Sequence, residues 1–248
     1  MYNRSDLHAG IVSFPLAPLP ADVLALFDLD HTLLDGDCDE AWVAYLIERG
    51  TLDRATFERA NDLIVDRYRR GEVGLLEFTE FYLSTLAPHA MAELERWRGE
   101  YLQQKIMPLI PAAARELVDK HRSSGDLTVL TTAASRFLTG PIAAEFGFEH
   151  LIATEPEVRD GRYTGKVSGT PNMREGKIER LEAWLAQRGG SLAGFRQSWF
   201  YSDSRNDIPL LSRVSHPVAV NADATLAALA SERGWATLSI PQCPTAIR

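Results

Sequence analysis

Short, unbroken apolar runs recur along the chain. The first, VLALFDL at 23–29, does not alternate with polar residues and ends in acids. A strand buried on both faces of a parallel sheet reads this way, its polar groups emerging at the carboxyl end. Similar runs follow as LTVLTT at 127–132, HLIAT at 150–154, SWFYS at 198–202 and PVAV at 217–220. Helical patterns at 111–123, 136–146, 175–188 and 224–234 lie among them. Strand alternating with helix predicts an α/β fold with a doubly wound parallel sheet.

Residues 39–105 break that alternation. They predict helices at 40–49, 54–71, 75–86 and 90–105, and Phe57, Asn61, Ile64, Val65 and Tyr68 fit one buried helical face. The expected organisation is therefore an α/β core of 23–38 and 106–248, with an all-helical insertion of 39–105. DGRYTGK at 160–166 predicts a tight hairpin, because Asp-Gly favours turns with positive φ. Pro15, Pro18 and Pro20 interrupt the apolar residues near the start, so 1–22 is expected to be a poorly ordered leader.

Composition narrows the function classes. With 45% hydrophobic and 24% charged residues, the 248-residue chain can build an ordinary core. A net charge of -8 argues against nucleic acid or an anionic membrane as partner. It leaves room for an anionic small molecule, since a few cations or a metal override the global field locally. Cys38 and Cys243 stand far apart, which disfavours a disulfide framework or a thiolate zinc site and suits a reducing compartment. With no run near the roughly 20 apolar residues of a membrane span, the expected location is cytoplasmic.

Four features fall at predicted strand ends or helix starts, where open α/β sheets carry their sites. Asp28 and Asp30 flank Leu29, and an extended backbone sends both to one side. Such a pair repels itself, and a hard divalent cation keeps both carboxylates ionised. One could then attack phosphorus while the other handles the leaving-group proton. Two solvated turn acids would give the same D-x-D. Thr132 could donate to a phosphate oxygen or simply cap a helix, with Thr131 and Ser135 as competitors. Lys177 opens a predicted helix, either as a solvated cation or as the neutraliser of a transferring phosphoryl group. Asp203, with Asn206 and Asp207 behind it, could complete a metal site or cap the next helix. Taken singly, each has a bland alternative. Their order along one sheet edge makes coincidence a poor explanation.

FDLDHTLLDGD, LTTAASRFLTGPIA, REGKIERL and YSDSRNDIPLL resemble, in order, the four motifs of the haloacid dehalogenase-like phosphatases, in the branch that includes phosphoserine phosphatase. The likeness runs from residue 23 to about 240. It implies Asp28 as nucleophile and Asp30 as general acid, later the base that activates water. It also implies Mg²⁺ held by Asp28, the Asp30 carbonyl and Asp203. Thr132 and Lys177 would bind phosphate, with Asn206 and Asp207 supporting the metal and the lysine. The helical insertion becomes a cap that chooses a small phosphorylated metabolite. Ser202 and Ser204 stand where the family often has glycines, which puts the shape of that loop in question. The second carboxylate favours a phosphatase over a dehalogenase, because an alkoxide leaving group needs a proton and a halide does not.

Nine positions after Asp28, Asp37 matches the glutamate that faces the substrate ammonium in phosphoserine phosphatases. Those enzymes also hold the serine carboxylate with a cap arginine, yet 72–88 contains no Lys or Arg. Arg67, Arg69 or Arg70 would have to substitute. The chain is also similar to a bacterial group of these phosphatases assigned to histidine biosynthesis. That likeness implies histidinol phosphate, an amine without a carboxylate. The rival readings are a phosphoserine or broad-specificity phosphatase, and a phosphate-binding or regulatory module without turnover.

Overall fold

The computed structural model describes residues 21–243. The chain opens with β1 (Val23–Phe27), then α1 (Cys38–Glu48), α2 (Arg54–Arg69), α3 (Leu75–Leu83) and α4 (Met91–Tyr101). Next come α5 (Ala112–Ser123), β2 (Leu127–Ser135), α6 (Arg136–Glu145) and β3 (His150–Thr154). A hairpin of β4 (Pro156–Arg159) and β5 (Arg162–Val167) leads to α7 (Glu175–Ala186) and β6 (Gln197–Ser202). The chain closes with α8 (Ile208–Leu211), β7 (His216–Val220), α9 (Ala224–Arg233) and β8 (Ala236–Leu238).

Six strands form one parallel sheet in the order β3-β2-β1-β6-β7-β8. The winding reverses between β1 and β6, and the crevice at such a switch point lies outside the strands' carboxyl ends. Leu24, Ala25, Leu26 and Phe27 are all fully buried, which explains the unbroken apolar run. Their alternation feeds two cores. Ala25 and Phe27 join Leu130 and Tyr201 on one face, while Leu24 and Leu26 join Val129 and Phe200 on the other. Burying each large side chain contributes roughly 1.5–3 kcal/mol, so β1 is firmly seated and holds the loop that follows it.

The predicted helices and strands are present, with shifts that have physical causes. β2 runs on to Ser135 through a register shift after Thr132. The fourth helix leaves α geometry at Leu102 and passes through a π turn and a 3₁₀ turn before Pro111. The hairpin turns at Asp160 and Gly161 with φ of 51° and 72°, the left-handed pair that Asp-Gly favours. β8, three mostly exposed residues at the sheet edge, carries too little apolar signal to be foreseen. Within the expected leader, Ala21 packs on a core and the Asp22 carbonyl accepts from Arg196 N–H at 2.9 Å. The rest of that segment lies outside the described residues. Among the described residues, no helix is long and apolar enough to cross a membrane.

Helices α1 and α4 pack into the same core as the sheet: Trp42, Tyr45, Leu46 and Trp97 share a cluster with Phe27. Trp42 meets Phe137 of α6 edge-on at 5.7 Å. α3 buries only Leu83 and leans on the hairpin instead. There Glu80 pairs with Lys166 at 2.8 Å and accepts from Val167 N–H. Gly165 permits the approach, since a Cβ there would stand 3.1 Å from Ser84 Cα.

Candidate active site

Asp28 leaves the end of β1 with its N–H bonded to the Tyr201 carbonyl of β6 at 2.9 Å, so the strand pairing continues up to the carboxylate. The chain then turns sharply, with His31 at φ 57°. This returns Thr32 beneath Asp28, where its hydroxyl lies 3.3 Å from Asp28 Oδ2 and 3.1 Å from Asp203 Oδ1. The same hydroxyl accepts from Asp203 N–H at 3.0 Å. One threonine thus ties the first acidic loop to the last.

On the other side of Asp28 lies Lys177, in the first turn of α7 and only 2% exposed. Its Nζ donates to Asp28 Oδ1 at 2.8 Å and to Asp207 Oδ2 at 2.7 Å. Gly176 makes this possible, because a Cβ at that position would run into the Pro171 carbonyl. Burial alone would depress the lysine, but Asp207 and Asp28 outweigh it and hold it charged. Asp207 is pushed up to about 6 by burial, with Lys177 pulling against it.

Asp203 is pushed up to about 8, first by burial and then by the charge of Asp28. Two carboxylates therefore share a site that favours one proton or one cation between them. Hard cations of the Mg²⁺ kind bind through one or two carboxylates, with waters and substrate oxygens completing the shell. Asp28 and Asp203 fit that donor set. Among the described residues no group of three His, Cys, Asp or Glu side chains forms a metal cluster, so backbone, water or substrate oxygens would have to supply the rest.

Asp30 rises well above the usual carboxylate range through burial, then through Asp37, Asp39 and Asp28. Its Oδ1 accepts from Cys38 N–H at 2.7 Å, which orients it. Asp37 caps α1, with Oδ1 accepting from the N–H groups of Asp39 and Glu40. Asp39 is pushed up to about 8 by burial, Asp37 and Glu40.

Two adjoining cavities result. The first, of about 160 Å³, is lined by Asp28, Asp30, Asp37, Lys177, Asp203, Asn206 and Asp207, among others. The second, of about 260 Å³, shares Asp30, Asp37, Ala133 and Met173 with it. It extends between the sheet end and α1–α3, past Asp39, Glu40, Asn61, Phe78 and Tyr82. Among the described residues, no Lys or Arg lines this second space.

Seven of the eight residues expected from sequence line the first cavity. Thr132 does not. It is fully buried in β2, its hydroxyl accepting from Ala134 N–H at 3.2 Å, and Ala133 forms the wall. Thr131 is also buried and accepts from Asn172 Nδ2, while Ser135 caps α6 and lines the second cavity. The serines in place of glycines are accommodated without positive φ. Ser202 donates to Asp207 at 2.7 Å and accepts from Ser204 N–H, so it fixes the loop.

Sequence reasoning missed Thr32, Ser202 and Arg174. Thr32 stands four residues after Asp28, but nothing in that spacing announces a contact with residue 203. Arg174, just ahead of α7, has φ 53° and ψ -125°, a conformation that glycine favours in turns. Holding another residue there costs about 1–3 kcal/mol.

Crossover helices on a parallel sheet, with carboxylates and a buried lysine gathered at the switch point, define a hydrolase of the phosphoryl-transfer kind. The comparisons with known proteins agree. The family model for haloacid dehalogenase-like hydrolase matches residues 25–212. The chain belongs to that family, and within it is a phosphatase. It is 43% identical over 217 residues to a histidinol-phosphatase of Neisseria meningitidis serogroup C, covering 87% of this chain and 98% of that one. A solved protein of unknown function from Bordetella pertussis Tohama I is 46% identical. It superposes with a TM-score of 0.85, over 88% of this chain and 98% of its own. A substrate-bound phosphoserine phosphatase shares the fold at a TM-score of 0.60 and 20% identity, over 89% and 93% of the two chains.

Proposed function

We propose that the protein hydrolyses L-histidinol phosphate in histidine biosynthesis, through a phospho-aspartate at Asp28. The ester's phosphorus would sit in the first cavity against Asp28, with its oxygens within reach of the Lys177 ammonium. An Asp28 oxygen attacks, the ester P–O bond breaks, and the departing oxygen takes the proton of Asp30. The raised affinity of Asp30 for that proton suits a general acid. Asp30, now a carboxylate, then accepts a proton from water as the water oxygen attacks phosphorus. The bond from phosphorus to Asp28 breaks and phosphate leaves. Lys177 offsets the charge that builds on the phosphoryl oxygens, and Asp207 holds it in place.

Mg²⁺ held by Asp28, Asp203 and the Asp30 carbonyl would neutralise the carboxylates and the phosphate. The roles inferred from the family place Thr132 at the phosphate too. Its burial gives that role to the neighbouring backbone as much as to its hydroxyl. Residues 39–105 act as the cap, and the cytoplasm is the site of action.

The second cavity carries the choice of substrate. Asp37, Asp39 and Glu40 line it with no Lys or Arg among the described residues, and Phe78 and Tyr82 add aromatic rings to the wall. An amine and an imidazole suit such a wall, whereas a buried substrate carboxylate facing these acids would cost several kcal/mol. Two of the cationic substitutes, Arg67 and Arg70, pair with Glu72. The similarity to the Neisseria histidinol-phosphatase points the same way.

The test is Mg²⁺-dependent phosphate release from histidinol phosphate and from O-phosphoserine, with wild type and Asp28→Asn. Preference for histidinol phosphate, abolished in the variant, supports the reading. Preference for phosphoserine would overturn the assignment drawn from the cavity.

A further inference from the structure

Arg174 reaches across the mouth of the site. Its Nε donates to Asn206 Oδ1 at 3.2 Å, in the loop that carries Asp203 and Asp207. Its Nη2 donates to the Tyr68 hydroxyl of α2 at 2.7 Å, and the guanidinium carbon lies 5.8 Å from the centre of that ring. Tyr68 in turn packs against Phe78, 5.0 Å between ring centres, and Phe78 lines the second cavity. A continuous chain of contacts therefore runs from the catalytic loop, through one arginine, to the wall of the substrate cavity.

The backbone supports a purpose for this contact. Arg174 holds a turn conformation that suits glycine, one residue after Met173, which lines both cavities, and three before Lys177. A residue chosen only to start α7 has no need of that conformation with a long side chain. The flat guanidinium has its donors spread in a fixed fork, so one side chain can serve two acceptors on different elements. A lysine can reach one of them and cannot reproduce the spacing.

From these contacts we infer that Arg174 is a positioning residue for substrate selection. It seats α2 and α3 over the site and sets the second cavity in register with the Asn206 loop. The inference rests on the active-site reading above. It goes beyond that reading in assigning selection of the substrate's body to a residue that lines neither cavity. Loss of the clasp should loosen the fit to a substrate that fills both cavities. A small ester that engages only the phosphate end should be far less affected.

The experiment compares wild type, Tyr68→Phe, Arg174→Gly, Arg174→Lys and the Tyr68→Phe/Arg174→Gly double variant. Each is assayed with histidinol phosphate and with p-nitrophenyl phosphate. Tyr68→Phe keeps the ring and removes the acceptor, while Arg174→Gly suits the backbone and removes the donors. Each is expected to raise KM for histidinol phosphate about tenfold, the size of one charge-assisted hydrogen bond, with the double variant no worse than Arg174→Gly. Tyr68→Phe should leave p-nitrophenyl phosphate turnover unchanged, and Arg174→Lys should not restore KM. Amide exchange in Arg54–Leu83 should quicken in Arg174→Gly while β1 and β6 stay protected.

Equal losses on both esters, additive effects of the two substitutions, or rescue by lysine would overturn the inference. So would unchanged exchange in α2 and α3. If wild type turns over p-nitrophenyl phosphate but not histidinol phosphate, the substrate reading fails, and amide exchange alone decides the clasp.

Discussion

Replacing Lys177 by Met tests the electrostatics of the site without inserting a new charge. The side chain is 2% exposed and is the cation between Asp28 and Asp207, at 2.8 and 2.7 Å. Methionine fills much of the same volume, so the main loss is the charge. Removing one member of a buried ion pair leaves its partners uncompensated, at a cost of about 3–5 kcal/mol. For a domain of this size that is a fall in Tm of roughly 6–20 °C. The assay is thermal and chemical unfolding in EDTA at several pH values. Without the ammonium, Asp207 binds its proton more tightly in the folded state, so the cost is present at high pH. It should shrink as pH falls towards about 6, the value of Asp207 beside Lys177, because without the lysine Asp207 protonates above that pH. Adding Asp207→Asn to the variant should recover about 1–3 kcal/mol by removing one orphaned carboxylate. A loss under about 1 kcal/mol, flat with pH, would refute the reasoning. It would mean that desolvating the lysine costs as much as its two partners return.

Metal removal should give the opposite slope to that of an ordinary salt-bridged acid. Asp203 has a folded-state value of about 8, above its unfolded value of about 3.9. The folded form therefore holds the extra proton, and stability is lost as pH rises from 4 towards 8. In EDTA, Tm should fall over that window, Asp203→Asn should flatten the fall, and Mg²⁺ should restore stability at pH 8. Asp37→Ala should cost about 1 kcal/mol through the lost cap on α1. Asp37→Asn should keep the cap yet raise KM for histidinol phosphate, with little change in kcat. Gly176→Ala should cost about 1–3 kcal/mol in unfolding experiments and lower kcat, since its Cβ meets the Pro171 carbonyl beside Lys177.

The sheet was legible because its strands are buried on both faces and write continuous apolar runs. Its order was not, since nothing in VLALF says that β2 and β6 are its neighbours. Asp28, Asp30, Lys177 and Asp203 could be singled out together because chemistry restricts what may stand at a strand's end, and they line one cavity. Thr132 is placed differently from the others. A hydroxyl at the close of an apolar run reads as a ligand, but β2 continues past it and buries it. Asp37 was expected to face a substrate amine, and the structure gives one of its oxygens to the helix cap while the residue still lines both cavities. Asp39 and Glu40 were hidden because a helix's first turn favours acids for its dipole alone. Only the placement of α3 opposite them turns that turn into a cavity wall. Arg174 was invisible as a clasp, since its partners lie 106 and 32 residues away.

The covalent step is tested most directly by trapping it. Wild-type protein mixed with ³²P-labelled histidinol phosphate, quenched in acid within one turnover and digested, should carry label on the peptide containing Asp28. The label should be released by hydroxylamine and be absent from Asp28→Asn. Turnover without any protein-bound phosphate, or label on a different residue, would contradict the account.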